Sequence, residues 1–130
     1  MGFTKVPVVV RASDGENGAF RADFLVDSGA WDSMVPGSEL TKLGISPRGT
    51  RVFELVDGTK KEFQIGGAEV EILGEVAFTG VIFGPDDVEP LLGVTALESA
   101  GFEIDPRNHM LKKLPATPLK SSGQGIAGIK

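Results

Sequence analysis

The stretch Phe24-Leu-Val-Asp-Ser-Gly-Ala30 decides the fold, because an apolar run there ends at an acid that three small residues follow. Residues 20–26 alternate between apolar and polar side chains, which predicts a half-buried strand that ends at Asp27. Glycine and alanine after the acid allow another backbone segment to approach the carboxylate. Asp27 and Ser28 are also typical of an ordinary turn after a strand, and the tripeptide alone favours that turn. Other segments must therefore decide the role of Asp27.

Composition favours a single domain built from short strands. The chain has 130 residues, and its 18 glycines and 8 prolines imply many sharp turns. Without cysteine there are no disulfides, thiolate metal sites or cysteine nucleophiles, which fits a reducing compartment. The only histidine, His109, is predicted to lie in an exposed turn after Pro106, which disfavours a Ser-His-Asp mechanism.

The distribution of charge excludes several classes of partner. The net charge is −5, with acids and bases dispersed and no basic run that could follow a phosphate backbone, so we expect no nucleic-acid partner. The apolar run at residues 6–10 is too short for a signal core or a membrane span, which predicts a soluble, cytoplasmic protein without a membrane partner. The acid pairs Asp86-Asp87 and Glu69 with Glu71 have too few ligands for a cation loop, and we expect no metal or cofactor.

The remaining pattern predicts an all-β chain of seven or eight short strands. Residues 6–11 suit a strand, and Pro7 near its start predicts an edge position. A hairpin is predicted at residues 52–65, where Asp57-Gly58 supplies the positive φ angles of a tight turn. Gly66-Gly67 is predicted to bend the chain before further strand-like segments.

Two short helices complete the predicted elements. Ser38 is expected to cap a first helix that stops at Gly44. Thr95 and Glu98 form the capping box of a second helix at residues 95–100. Beyond residue 114 the apolar pattern fades into Pro, Ser and Gly, so residues 1–114 are predicted to form the domain and residues 115–130 a mobile tail.

A second segment gives Asp27 a context. Leu91-Leu92-Gly93 is an apolar pair and a glycine that lead into the second predicted helix. Together the two segments resemble the retroviral-type aspartic peptidases, in which an apolar-apolar-Asp-[Thr/Ser]-Gly-Ala strand end is paired with an apolar-apolar-Gly segment that crosses behind it. The run from Leu91 to Pro106 is similar to a small prokaryotic branch of such enzymes. The resemblance covers roughly residues 4–114.

The resemblance implies a retropepsin-like half-barrel with a flap hairpin, which forms a two-fold homodimer. Asp27 would be the catalytic carboxylate, Ser28 would hydrogen-bond across the two-fold axis, and the Gly29 N–H would hold the carboxylate. The residues implied to support the active site are Ser28, Gly29, Ala30, Leu91, Leu92 and Gly93. The residues implied to contact or cover a polypeptide substrate are Asp32, Asp57, Gly58 and Thr59.

The chemistry explains why two chains are expected. Hydrolysis of a peptide bond by carboxyl groups needs one ionised group to take a proton from water and one protonated group to donate to the scissile carbonyl. Two carboxyl groups about 3 Å apart share a proton in this way, as aspartic peptidases illustrate. The chain carries one such motif, so the second Asp27 would come from an identical subunit. We therefore predict an aspartic endopeptidase.

Two departures from the family pattern keep alternatives open. Trp31 stands where retroviral members often carry the first of two acids, and it is predicted to be a core or interface residue rather than a substrate contact. The hairpin tip, Asp57-Gly-Thr-Lys60, is polar rather than apolar and rich in glycine. The alternatives are a catalytically inactive dimer that binds peptides in its groove, and a monomeric β-barrel with an unrelated role.

Overall fold

Strands dominate the structure, a computed structural model in which residues 4–105, 107–108 and 110–115 are described. The strands are β1 (Lys5–Arg11), β2 (Phe20–Val26), β3 (Ser33–Pro36), β4 (Gly49–Glu54), β5 (Lys60–Ile72), β6 (Glu75–Gly84), β7 (Leu91–Leu92), β8 (Phe102–Asp105) and β9 (Met110–Lys113). The helices are α1 (Gly37–Lys42) and α2 (Val94–Ser99). The all-β prediction is confirmed. His109 and residues 116–130 lie outside the described residues, so the predicted turn and tail stay predictions.

Six strands close into a barrel-like ring. Their order is β1-β2-β7-β3-β6-β5, and β5 pairs back to β1. β4 extends this sheet beyond β5, while β8 and β9 form a separate two-stranded sheet. Neither of the two six-residue helices in the described ranges is long enough to cross a membrane.

The inward side chains of the ring form one apolar core, as strands of period two require. In β1 the buried side chains are Val6, Val8 and Val10. The largest fully buried apolar side chains of the core are Phe24, Leu40, Ile72, Leu92 and Leu97. Burial of one such side chain stabilises the fold by about 1.5–3 kcal/mol. Leu92 therefore anchors β7 in the core, directly before Gly93.

The seam between β1 and β5 closes the ring. Residues 8–11 pair antiparallel with residues 69–72. Arg11 donates through Nη2 to Glu71 at 2.9 Å and through Nη1 to Glu69. Hydrogen bonds to Glu71 and then to Glu69 raise the pKa of Arg11. The two acids that were considered as cation ligands are thus paired with a guanidinium group.

Pro7 lies where β1 pairs only with β2. It stands opposite Asp23, one residue before the pairing with β5 begins at Val8. The prediction that β1 is an edge strand is wrong, because β1 pairs on both sides from Val8 onward. The missing N–H of Pro7 nevertheless falls outside the ladder with β5, which is why proline is tolerated there.

The predicted hairpin at residues 52–65 is confirmed as the antiparallel pair β4 and β5. Its register runs from Gly49 opposite Ile65 to Glu54 opposite Lys60. Gly58 has a φ of 87°, which is the positive angle that the sequence predicts for the turn.

A second hairpin joins β5 to β6 and overturns the predicted bend at Gly66-Gly67. Both glycines pair with β6, opposite Val81 and Gly80, so β5 runs unbroken for 13 residues. A Cβ on Gly66 would lie 3.0 Å from the Phe83 ring and from the Ser46 carbonyl oxygen. The glycine at position 66 therefore permits close packing and does not interrupt the strand.

The two predicted helices are present, but their predicted caps are wrong. α1 follows Pro36, and Ser38 lies inside its first turn without a capping hydrogen bond. α2 follows Gly93, and Thr95 likewise lies inside the helix. The predicted stop at Gly44 is confirmed, since this residue has a φ of 81° directly after the last turn of α1.

Candidate active site

The structure brings together the two sequence segments that point to function. β7 lies between β2 and β3, and Leu92 is opposite Val26 in the parallel pair of β2 and β7. The Asp27 N–H donates to the Leu92 carbonyl oxygen at 3.0 Å. Asp27 is therefore placed by the backbone of the buried strand behind it, while its own side chain is half-buried.

A tight turn follows Asp27. The Ala30 N–H donates to the Asp27 carbonyl oxygen at 3.1 Å. The Gly29 N–H donates to Asp27 Oδ1 at 2.9 Å, which is the contact that the resemblance implies. Ser28 lies exposed at the tip of this turn. The main chain thus fixes the orientation of the carboxylate and leaves the Ser28 hydroxyl accessible.

Gly93 packs directly against the backbone of the loop that follows the turn. A Cβ on Gly93 would lie 2.5 Å from the Trp31 carbonyl oxygen and 2.6 Å from the Asp32 carbonyl carbon. Contacts this short force the backbone to move, so only glycine fits at this position. Gly93 therefore sets how closely β7 approaches the loop that carries Asp27.

The N-terminus of α2 also holds this loop. The Val94 N–H donates to the Ala30 carbonyl oxygen at 2.9 Å, and the Thr95 N–H donates to the Trp31 carbonyl oxygen at 3.1 Å. The first N–H groups of a helix have no partner within the helix, and here loop carbonyl groups satisfy two of them. This is the physical reason why Thr95 is not needed as a cap.

Ser33 is a site residue that the sequence reasoning missed. It is 2% exposed, and its Oγ accepts a hydrogen bond from the Gly93 N–H at 2.9 Å. A buried polar side chain needs such a partner, and the bond ties β3 to the segment behind the Asp27 loop. The sequence feature that points to this role is a small polar residue two positions before Val35, and therefore on the same face of β3.

A groove of about 570 Å³ opens beside the loop. Residues 29–32 form one wall, residues 51–54 of β4 form the other, and Ile82 also contributes to the lining. Of the predicted site residues, Gly29, Ala30 and Asp32 face this groove. Arg51 and Asp32 form an ion pair across it, with 3.7 Å between Nη1 and Oδ2.

Comparisons with known proteins support this architecture. No protein-family model matches the chain, and the search of curated proteins finds no match. The solution structure of the simian foamy virus (mac) protease is similar, with a TM-score of 0.53 and 18% identity, and the alignment covers 73% of this chain and 92% of the viral chain. The foamy viral protease-reverse transcriptase in complex with an RNA/DNA hybrid aligns with a TM-score of 0.55 and 15% identity, covering 92% of this chain and 14% of that one. This chain has a retropepsin-like fold. A retropepsin-like aspartic protease from Rickettsia conorii aligns with a TM-score of 0.47 and 22% identity, covering 81% of this chain and 86% of that chain.

Trp31 is an exposed residue of this retropepsin-like chain. Its side chain is 78% exposed, so the core alternative of the prediction is wrong, while a place at an interface stays a prediction. The physical reason is that its carbonyl oxygen faces Gly93 and α2, which leaves the side chain on the groove side of the loop. An exposed tryptophan in a groove is free to contact a ligand or another subunit.

The tip of the β4–β5 hairpin is a compact turn away from the groove walls. Asp57 Oδ1 accepts hydrogen bonds from the Thr59 hydroxyl at 2.6 Å and from the Thr59 N–H at 3.0 Å. These bonds, the hydroxyl first, lower the pKa of Asp57. Asp57, Gly58 and Thr59 are exposed and do not line the groove. Beside them Leu55 and Val56 are exposed, so the tip carries apolar side chains that the sequence reasoning did not assign to it.

Proposed function

We propose that this chain is an aspartic endopeptidase that acts as a homodimer, with one Asp27 from each subunit. The observation that carries the proposal is the placement of the Asp27 carboxylate. It is half-buried at the end of β2, one oxygen is held by the Gly29 N–H, and Gly29 itself lines the groove. A carboxylate with a fixed orientation, next to a residue that lines a groove, is suited to general acid-base chemistry.

The reaction needs two carboxyl groups in different protonation states. The ionised Asp27 takes a proton from a water molecule, whose oxygen attacks the scissile carbonyl carbon, while the protonated Asp27 of the second copy donates to the carbonyl oxygen. Collapse of the tetrahedral intermediate then breaks the C–N bond. The first Asp27 passes the proton that it took from water to the amine nitrogen, and the second Asp27 takes a proton back from a hydroxyl of the intermediate, which leaves a carboxylic acid product. The sequence contains Asp-Ser-Gly once, so a second copy must supply the other carboxyl group.

The surrounding residues support this pair in distinct ways. Ser28, exposed at the tip of the turn, would hydrogen-bond across the two-fold axis. Ala30, Leu92 and Gly93 would keep the loop in place through the backbone contacts described above. Leu91 would hold β7 in the sheet, where it lies opposite Leu25 and Met34. The cysteine-free sequence fits a reducing compartment, and we propose the cytoplasm as the place of action.

A polypeptide substrate would lie in the groove under the β4–β5 hairpin. β4 pairs only with β5 among the described strands, so its other edge has free main-chain groups that can hydrogen-bond to an extended peptide. Closure of the hairpin would exclude water, with Asp57, Gly58 and Thr59 at its tip as the covering residues.

A second candidate is an inactive dimer that binds peptides. Trp31 favours it, because an exposed aromatic side chain in the groove can bind a peptide without catalysis. A pepstatin-like transition-state mimic distinguishes the two functions, since tight binding requires the shared proton of an Asp27 pair and not only a groove.

The decisive experiment compares Asp27→Asn with Asp86→Asn in the cleavage of unfolded protein substrates at mildly acidic pH. Asp86 is an exposed acid outside the groove walls and serves as the matched control. We expect Asp27→Asn to lose at least about 100-fold in rate, the scale of general acid-base catalysis. Asp86→Asn should retain full activity, and sedimentation should show a dimer for both variants. Cleavage by Asp27→Asn at the wild-type rate would sink the assignment.

A further inference from the structure

The ion pair between Arg51 and Asp32 joins the two walls of the groove. The loop wall packs against Gly93 behind it, whereas β4 is held by β5 on one side only among the described strands. The Asp32 side chain is 27% exposed, and its backbone packs against Gly93 behind the loop. The Arg51 side chain is 56% exposed and lies on β4, a strand that pairs on one side only within the described sheet. The carboxylate is therefore the fixed partner, and the guanidinium group can leave with the hairpin.

The long distance between the Arg51 and Asp32 charges favours replacement of Arg51 by another cation. At 3.7 Å between Nη1 and Oδ2 the pair is longer than a hydrogen bond, and an exposed ion pair of this kind contributes little to stability. If β4 moved away from the loop, Asp32 would keep its position but lose its cation. A partly buried carboxylate without a partner favours another positive charge in the same place.

The side chains around Asp32 suit a cation with an apolar stem. Trp31 is adjacent and 78% exposed, and the face of an indole ring attracts a cation. Val52, Phe53 and Ile82 also line the groove and can pack against methylene groups. A lysine or arginine side chain has both the positive charge and the apolar stem. A purely apolar side chain lacks the charge, and an acidic side chain has the opposite charge.

We propose that Asp32 and Trp31 form a subsite for a basic side chain of the bound peptide, and that Arg51 occupies this subsite while the peptide is absent. The inference rests on the proposed function for its substrate class, a polypeptide in the groove. It adds a charge preference that the fold does not specify. The net charge of −5 also favours the approach of cationic peptides.

Trp31 provides the measurement, because it is the only tryptophan of the chain and lies in the groove. Its fluorescence is recorded in the full-length Asp27→Asn chain, which binds without cleavage, during titration with paired peptides. Each peptide has a central pair of large apolar residues, and the pair differs only in lysine or uncharged norleucine at one flanking position. At one such position we expect the lysine peptide to bind about tenfold more tightly, the combined effect of an exposed ion pair and a cation–π contact. Added salt should reduce the difference.

Three further variants, each in the Asp27→Asn chain, separate a subsite from a structural contact. Asp32→Asn should abolish the preference for lysine. Arg51→Gln should strengthen binding of the lysine peptide by about threefold, because it removes the resident cation. A purely structural Arg51 predicts the opposite, namely weaker binding of every peptide. Glu16→Gln neutralises an exposed acid outside the groove walls and should leave the preference unchanged.

The outcomes distinguish this inference from the proposed function. Equal binding of lysine and norleucine peptides, with cleavage by the wild-type chain, overturns the subsite and leaves the endopeptidase intact. A lysine preference that disappears in Asp32→Asn, without cleavage by the wild-type chain, supports the subsite and overturns the endopeptidase. Absence of binding for all peptides together with absence of cleavage overturns both.

Discussion

Gly93→Ala adds a single methyl group, and the structure predicts that this group displaces the backbone of the Asp27 loop. The added Cβ would lie 2.5 Å from the Trp31 carbonyl oxygen, whereas an ordinary contact of a Cβ is at least 3.4 Å. The loop must therefore retreat by about 0.9 Å, the difference between these two distances. The colliding atoms belong to backbone, so no side-chain rotation relieves the contact. Overpacking of this kind costs about 1–3 kcal/mol in the free energy of unfolding.

The same displacement should affect activity more than stability. A misplacement of about 1 Å in a catalytic site can lower the rate about 100-fold. We expect Gly93→Ala to reduce kcat by about this factor while most of the protein remains folded. Both quantities are measured at one protein concentration, by urea unfolding and by cleavage of the same substrate, because the proposed dimerisation would make stability depend on concentration.

Gly67→Ala is the matched control, since nothing lies within 4 Å of a Cβ at this exposed position. It should unfold at the wild-type urea concentration or slightly higher, because alanine restricts the unfolded chain more than glycine does. If Gly93→Ala also matched the wild type in unfolding and in kcat, the close packing of β7 against the Asp27 loop would be refuted.

Two further predictions concern single hydrogen bonds. Ser33→Ala removes the acceptor of the buried Gly93 N–H and should cost about 1–3 kcal/mol in urea unfolding, whereas Thr41→Ala, which removes an exposed side-chain hydrogen bond, should cost less. Equal losses in both variants would contradict this role. Thr59→Ala should raise the pKa of Asp57 toward its ordinary value, which ¹³C NMR of the carboxyl group can measure. Because the pKa of Asp57 is lower in the folded chain, its stabilising effect is present above the ordinary value of about 4 and is lost as the pH falls through the lowered value. An unchanged midpoint in Thr59→Ala would exclude the hydroxyl as the main cause.

The sequence predicts well those parts of the fold that depend on local pattern. The strand before Asp27 follows from its period of two, and the β4–β5 hairpin follows from Asp57-Gly58. The pairing of Asp27 with the segment at Leu91 depends on a long-range contact, which the residues alone do not reveal. Only the resemblance of both motifs, taken together, to the retroviral-type aspartic peptidases predicts it.

Two of the failed predictions share a physical cause, because a distant partner outweighs the local signal. Thr95 is a residue type that favours helix caps, but α2 obtains its N-terminal partners from the carbonyl groups of Ala30 and Trp31. Glycine is a residue type that favours bends, but at position 66 it is required because the Phe83 ring packs over it. The inward position of Ser33 is not predictable from the pattern, because β3 has only four residues, too few to show a clear alternation.

The contacts that hold the Asp27 loop are made almost entirely by main-chain atoms. Leu92 accepts through its carbonyl oxygen, and Val94 and Thr95 donate through their backbone N–H groups. These hydrogen bonds do not depend on which side chains stand at those positions. A sequence can therefore change widely around such a loop while the carboxylate stays in place. This tolerance explains how a chain with 18% identity to a foamy virus protease can keep the same architecture. In such a scaffold, the amino-acid sequence is constrained mainly at positions where a side chain would collide with backbone, as at Gly93.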